Sequence, residues 1–182
     1  SFVNEERPLA EVMAVLARLA GYVAGAGSMS KGSVTLSLGS LVDVQAVVDD
    51  AAYLGVKLAA PTQAVSTTYS LHVRAPLAAA IAAMVPVDAA ADKIKMQLPN
   101  VWASAPALFR REYIAGLHGA DGGNVHSSGT QAIAGLCFSI SCVTSEGVEA
   151  AMAYRDALVQ ADKALGVRVR ADAVNVNQLA LN

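Results

Sequence analysis

Residues 111–126 read REYIAGLHGADGGNVH: an apolar helical run that ends in a glycine-rich turn. One acid, Asp121, stands at the point where a close-packed helix would simply stop. Residues 16–30, LARLAGYVAGAGSMS, have nearly the same shape. Laying LAGYVAGAG (19–27) on IAGLHGADG (114–122) makes Ala20/Ala115, Gly21/Gly116 and Gly27/Gly122 identical, and pairs Leu19 with Ile114 and Tyr22 with Leu117. The odd position is the eighth, where Ala26 stands against Asp121. Small residues three and four apart let two helices approach closely, because no side chain separates their backbones. Ala20 and Gly21 against Ala115 and Gly116 would form such a seam and deliver both motif C-termini to one place. The plain alternative is a helical hairpin with Asp121 as a turn residue.

The segments C-terminal to the two motifs also repeat, and a repeated unit decides a fold before any single element does. After the first motif come an alternating, strand-like SVTLSLGS and an amphipathic LVDVQAVVDDAAYLG closed by Gly55. VKLAAPTQA and TTYSLHVRA read as a strand pair, and PLAAAIAAMV as a helix opened by proline. After the second motif come GLCFSISCVT, a strand, and a helix from an N-cap at Ser145 to Gly166; VRVRADAVNVN then alternates again. The expectation is an α+β fold of two pseudo-symmetric αββαββ(α) halves, 1–86 and 109–182, joined by a linker at 87–108. The last helix of the second half is expected to be missing.

The 182 residues are 54% hydrophobic and 15% charged, with a net charge of −2. That composition belongs to a folded chain with a substantial core. It argues against a surface dominated by phosphate binding, which needs clustered Lys and Arg, though a local basic stripe remains compatible with it. No apolar run reaches the ~18 residues needed to span a bilayer, and the start, SFVNEERPLAE, lacks a signal-peptide layout. Cys137 and Cys142 make neither a disulfide framework nor a metal spacing. A cytoplasmic location is expected.

The two motifs resemble those of the LAGLIDADG homing endonucleases, above all the two-motif type found inside inteins. LARLAGYVAGAGS is similar to that group's first motif, of the form L-x-R-L-x-G-Y-x-x-G-D-G-S. LPNVWASAPALFRREYIAGLHGADGG is similar to the second, including the upstream Pro, Trp and Arg-Glu. The resemblance implies motif helices packed at the centre, two antiparallel sheets forming a saddle along duplex DNA, and a monomer with pseudo-twofold symmetry. It also implies that the last acid of each motif binds a divalent metal such as Mg²⁺. That role falls on Asp121, with Gly122 and the carbonyl of Ala120 beside it, and on Ala26, which cannot fill it. A lysine near the cleavage centre would be Lys95 or Lys93.

Period-two alternation puts His72 and Arg74 on one strand face with Ser70, and Arg168 with Arg170 on another; such groups can contact bases or phosphates. An ordinary solvated sheet face has the same pattern. His118 lies within the motif helix, where packing or hydrogen bonding is the expected role. No splicing residues accompany the motifs, so splicing is not expected. The leading expectation is a site-specific double-strand endonuclease using Mg²⁺, impaired by Ala26. Its rival is an inactive LAGLIDADG-fold module that binds DNA or serves a structural role.

Overall fold

The computed structural model describes residues 2–30, 32–63, 68–85, 87–88, 93–94, 98–99, 101–121, 126–128, 131–133 and 145–166. The first repeat begins with α1, Leu9–Ala26. The chain enters it through Pro8, whose fixed φ suits a helix start and whose carbonyl accepts from Glu11 and Val12. Helix α1 buries two faces: Val12, Leu16, Leu19 and Val23 recur at helical spacing, and Ala17, Ala20 and Gly21 sit between them. By length and composition it is apolar enough to cross a membrane, although Glu11 and Arg18 leave it no unbroken apolar run of that length. Its buried face packs against α3, β2 and, most extensively, α4, the pattern of a core helix.

Two short strands come directly after it. β1 (Gly27–Ser30) and β2 (Ser33–Leu38) form a hairpin with Ser30 opposite Ser33, and Gly32 in the turn adopts φ 77°. A positive φ in a two-residue hairpin turn is the position glycine fills without strain. Helix α2 (Leu41–Tyr53) is capped by Ser40, whose hydroxyl accepts from the Val42 amide at 3.1 Å, and ends before Gly55 at φ 77°. β3 (Thr62–Gln63) and β4 (Tyr69–Val73) are both shorter than the alternating sequence suggests. The four strands form one antiparallel sheet in the order β1-β2-β4-β3. α3 (Leu77–Ala82) completes an αββαββα unit and covers the sheet with Leu77, Ala78 and Ile81.

Within the expected linker, β5 (Val87–Asp88) pairs with β6 (Lys93–Ile94), and β6 lies near β1. The second repeat supplies α4 (Ala107–Asp121), the hairpin of β7 (His126–Ser128) and β8 (Gln131–Ile133), and α5 (Ser145–Ala164). Helix α5 starts at the expected Ser145 and stops before Gly166 at φ 81°. The predicted strands GLCFSISCVT and VRVRADAVNVN lie outside the described residues. The fold is therefore mixed α+β. Among the described residues its sheets are the four-stranded one and the pairs β5–β6 and β7–β8.

Candidate functional site

The centre of the molecule is the contact of α1 with α4. A Cβ added to Gly21 would lie 2.0 Å from the Tyr113 carbonyl oxygen and 2.8 Å from the Leu117 amide. A Cβ added to Gly116 would lie 2.0 Å from the Arg18 carbonyl oxygen and 3.0 Å from the Tyr22 amide. The same offset along the chain relates Gly21 to Gly116, Arg18 to Tyr113 and Tyr22 to Leu117. One backbone contact is thus made twice, reciprocally, as a local twofold relation between the helices requires.

The contacts also advance in step: Arg18 meets Glu112, Gly21 meets Tyr113 and Leu117, and Tyr22 meets Gly116 and Gly119. The helices therefore run parallel, and their last residues, Ala26 and Asp121, share one end of the pair. Both helix dipoles place their negative poles there, an environment that favours cations and disfavours a carboxylate. One of the two equivalent positions carries the acid; the other carries a methyl group. Ala26 and Ala120 are half-buried. Gly122 and Lys95 lie outside the described residues, as do the side chains of Asp121 and Lys93. Asp121 with Ala26 is not the paired-carboxylate set that the resemblance implies for Mg²⁺, a cation that takes oxygen ligands.

Below this end, polar side chains tie the first repeat together. The Arg18 guanidinium donates from Nε to Asp50 Oδ2 at 2.7 Å, from Nη2 to Asp50 Oδ1 at 2.5 Å and from Nη1 to Glu112 Oε2 at 2.5 Å. It therefore bridges α1 to α2 with a bidentate fork and α1 to α4 with its third arm. Asp50, at 6% exposure, is one of two buried acids among the described residues, and its hydrogen bonds raise the Arg18 pKa far above the ordinary value. Arg111 donates to the other oxygen of Glu112 at 3.0 Å. Tyr22, whose ring lies over Gly119, donates its hydroxyl to Asp43 at 3.1 Å; burial first, then Asp43, raises its pKa. On the other side of the seam, Tyr113 is fully buried with Trp102 edge-on at 5.7 Å, its hydroxyl has no hydrogen-bond partner among the described residues, and burial raises its pKa. His118 Nε2 lies 3.8 Å from Asp162 Oδ2 on α5, so it faces a helix neighbour, as expected for a packed histidine.

Sequence patterns alone single out neither Asp50 nor Glu112 as a partner for Arg18. A signal was present: Arg18 is a charge in the middle of an otherwise apolar stretch, Val12–Ala26, and Asp50 follows Val44 and Val47 on the inward face of α2. Long-range pairing is not visible in a single chain read linearly.

Helix α1 runs straight into β1, so the helix end sits at the edge of the four-stranded sheet. The sheet has two unlike faces. Val34, Leu36, Leu38, Leu71 and Val73 point inward and are at most 1% exposed. The outward positions are Ser28, Ser30, Ser33, Thr35, Ser37, Thr62, Ser70 and His72, with exposed Arg74 just beyond β4. Ser28, Thr35 and His72 form one rung across three strands, and Ser37, Ser70 and Thr62 another. Thr35 Oγ1 and His72 Nδ1 are 3.1 Å apart. No strand of this sheet contains an acid. His72 and Arg74 are therefore on one face as the alternation predicts, whereas Arg168 and Arg170 lie outside the described residues.

No known family profile matches the chain, and no curated protein sequence does. Solved structures similar to it include full-length DUF199/WhiA from Thermatoga maritima, at 13% identity and TM-score 0.44, over 63% of this chain and 35% of that one. Another is the N-terminal LAGLIDADG domain of DUF199/WhiA, at 12% identity and TM-score 0.46, over 68% of this chain and 62% of that one. The chain thus spans less than two thirds of either structure.

Proposed function

We propose that the chain is a LAGLIDADG-like module that lies on duplex DNA through its four-stranded sheet and does not cleave it. The observation that carries this reading is the outer sheet face: a surface of hydroxyls with His72 and Arg74, free of carboxylates, in a chain of net charge −2. The acids of the first repeat sit on α1, α2 and the N-terminal segment instead. Hydroxyls donate and accept, so such a face can meet base edges and phosphates alike. The parallel helix pair beside it matches the arrangement expected of LAGLIDADG motif helices, and Ala26 removes one of the two acids on which cleavage would depend. A DNA partner implies action inside the cell, by a monomer whose two halves share the duplex.

A second reading, a purely structural, protein-contacting module, is favoured by the absence of lysine from the strands of the four-stranded sheet. One experiment separates these readings from an active nuclease. The chain and its Ala26→Asp variant are titrated with duplex DNA, and both are incubated with supercoiled plasmid and Mg²⁺. Duplex binding without nicking by the unaltered chain is expected. Nicking by that chain would sink the non-cleaving reading, and absence of duplex binding by both forms would leave the structural one.

A further inference from the structure

The two helices of the seam are alike enough that a first repeat could meet another first repeat in place of the second. The offset that relates Gly21 to Gly116 also relates Ala17 to Glu112 and Ala24 to Gly119. Two features of α4 are therefore not repeated in α1. Glu112 accepts from Arg18 at 2.5 Å, and its counterpart Ala17 carries only a methyl group. Gly119 lies under the Tyr22 ring, and its counterpart Ala24 carries the methyl that Gly119 lacks. A Cβ at position 119 would stand 2.6 Å from the Tyr22 hydroxyl oxygen and 2.8 Å from ring atoms Cε1 and Cζ. Tyr22 is not free to swing aside, because it is 5% exposed and its hydroxyl is held by Asp43. A packed ring meets an added methyl as overlap, and relieving overlap forces backbone or rotamer shifts.

In a symmetric pair of identical helices every contact occurs twice. Two first repeats would keep the backbone contact at Gly21, but each Tyr22 ring would meet an Ala24 methyl. Each Arg18 would keep Asp50 and face Ala17 in place of an acid. Two second repeats would set Glu112 against Tyr113, the counterpart of Arg18, and lose the ion pair between the helices. The seam glycines thus permit all three pairings, and Arg18–Glu112 with Tyr22–Gly119 select one. Specificity is a difference between pairings, so a mismatch in the wrong pair counts as much as a match in the right one. We infer that the α1–α4 seam is a heterotypic recognition surface: the first repeat accepts the second and rejects the first repeat of another copy, through the Arg18–Glu112 ion pair and the seat that Gly119 offers Tyr22. The partner it selects is a helix with an acid one turn before its crossing glycine and a second glycine one turn after it, as Glu112, Gly116 and Gly119 stand in α4. Nothing in this choice depends on what the sheet binds.

The test moves both features from α4 to α1 in the full chain, as Ala17→Glu, Ala24→Gly, Glu112→Ala and Gly119→Ala together. In analytical ultracentrifugation this exchanged variant should sediment at twice the mass of the unaltered chain, because its α1 complements itself and no longer complements α4. An exchanged variant that folds and sediments at the mass of the unaltered chain overturns the inference. Where the exchanged variant does not fold, a cycle of melting temperatures at the seat decides. Gly119→Ala should lower the melting temperature by several degrees in the unaltered chain and leave it unchanged in a Tyr22→Leu background, since leucine is what the second repeat carries at the equivalent position. Equal losses in the two backgrounds would mean that Tyr22 does not read position 119, and would overturn the inference as well.

Discussion

Gly21 and Gly116 do the same thing in the two repeats; Arg18 and Tyr113, equally related, do not. Each glycine admits the backbone of the opposite helix to within a distance no Cβ could share. At the neighbouring position the first repeat places a guanidinium locked onto Asp50 and Glu112, and the second places a phenol buried under Trp102. The helix seam thus enforces symmetry where backbones touch and releases it one turn away, where each half packs its own second helix. Polar side chains hold α1 to α2, through Arg18–Asp50 and Tyr22–Asp43. On the α4 side, the corresponding layer is mainly aromatic and aliphatic, with Tyr113, Leu117, Tyr154 and Leu158 buried, and His118 beside the buried Asp162 is its polar contact with α5.

The largest effect should come from the shared feature. Alanine at Gly21 or at Gly116 drives a methyl into backbone, so the helices must separate, at a cost of about 3 kcal/mol each. Gly39→Ala, at a site with nothing within 4 Å, should stay within about 0.5 kcal/mol. Chemical denaturation of the three variants checks this. Unequal costs at the two seam glycines would break the reciprocity inferred from their contacts.

Removing Arg18 tests the asymmetric layer. Arg18→Met leaves Asp50 buried without its partner, and Glu112 with only Arg111. A buried charge stripped of its partner is strongly destabilising, but the Arg18 side chain is 33% exposed and partly screened. The expected loss is therefore about 2 kcal/mol, largely recovered when Asp50→Leu is added, since an apolar pair can replace a buried ion pair. A double variant as unstable as the single one would mean that Arg18 stabilises chiefly through Glu112, across the two repeats rather than within the first.

The seam was legible in the sequence because its cause is local: small residues at helical spacing, written twice. So were α2 and α5, whose ends fall at Gly55 and Gly166, where a left-handed turn restricts the residue type, and α5 starts at the expected Ser145. β1 was not legible. Its GSMS carries one inward hydrophobe, Met29, too little for a period to show, and it exists because β2 offers it a hydrogen-bonding edge. Of the alternating VKLAAPTQA, Thr62 and Gln63 pair with β4 among the described residues. The site divides the same way. His72 and Arg74 follow from period-two alternation. Asp50 and Glu112 depend on contacts between distant segments, and Asp50 reads as surface charge until α2 is laid against α1.

The smallest effect separates the two tyrosines of the seam. Tyr22→Phe deletes a hydroxyl that donates to Asp43, so at neutral pH it should cost about 1 kcal/mol. Tyr113→Phe deletes a buried hydroxyl that has no hydrogen-bond partner among the described residues, so it should cost nothing or stabilise. At alkaline pH the two behave alike. Both phenols have raised pKa values in the folded chain, so the unfolded chain releases its protons first. Above about pH 10 the native state then holds more protons than the unfolded one, and stability falls as pH rises. Each Phe variant should flatten that fall. Thermal melts at neutral pH and above about pH 10 read both effects. A Tyr113→Phe variant that loses stability at neutral pH would show that the phenol has a partner after all, and that the second repeat is polar at its centre like the first.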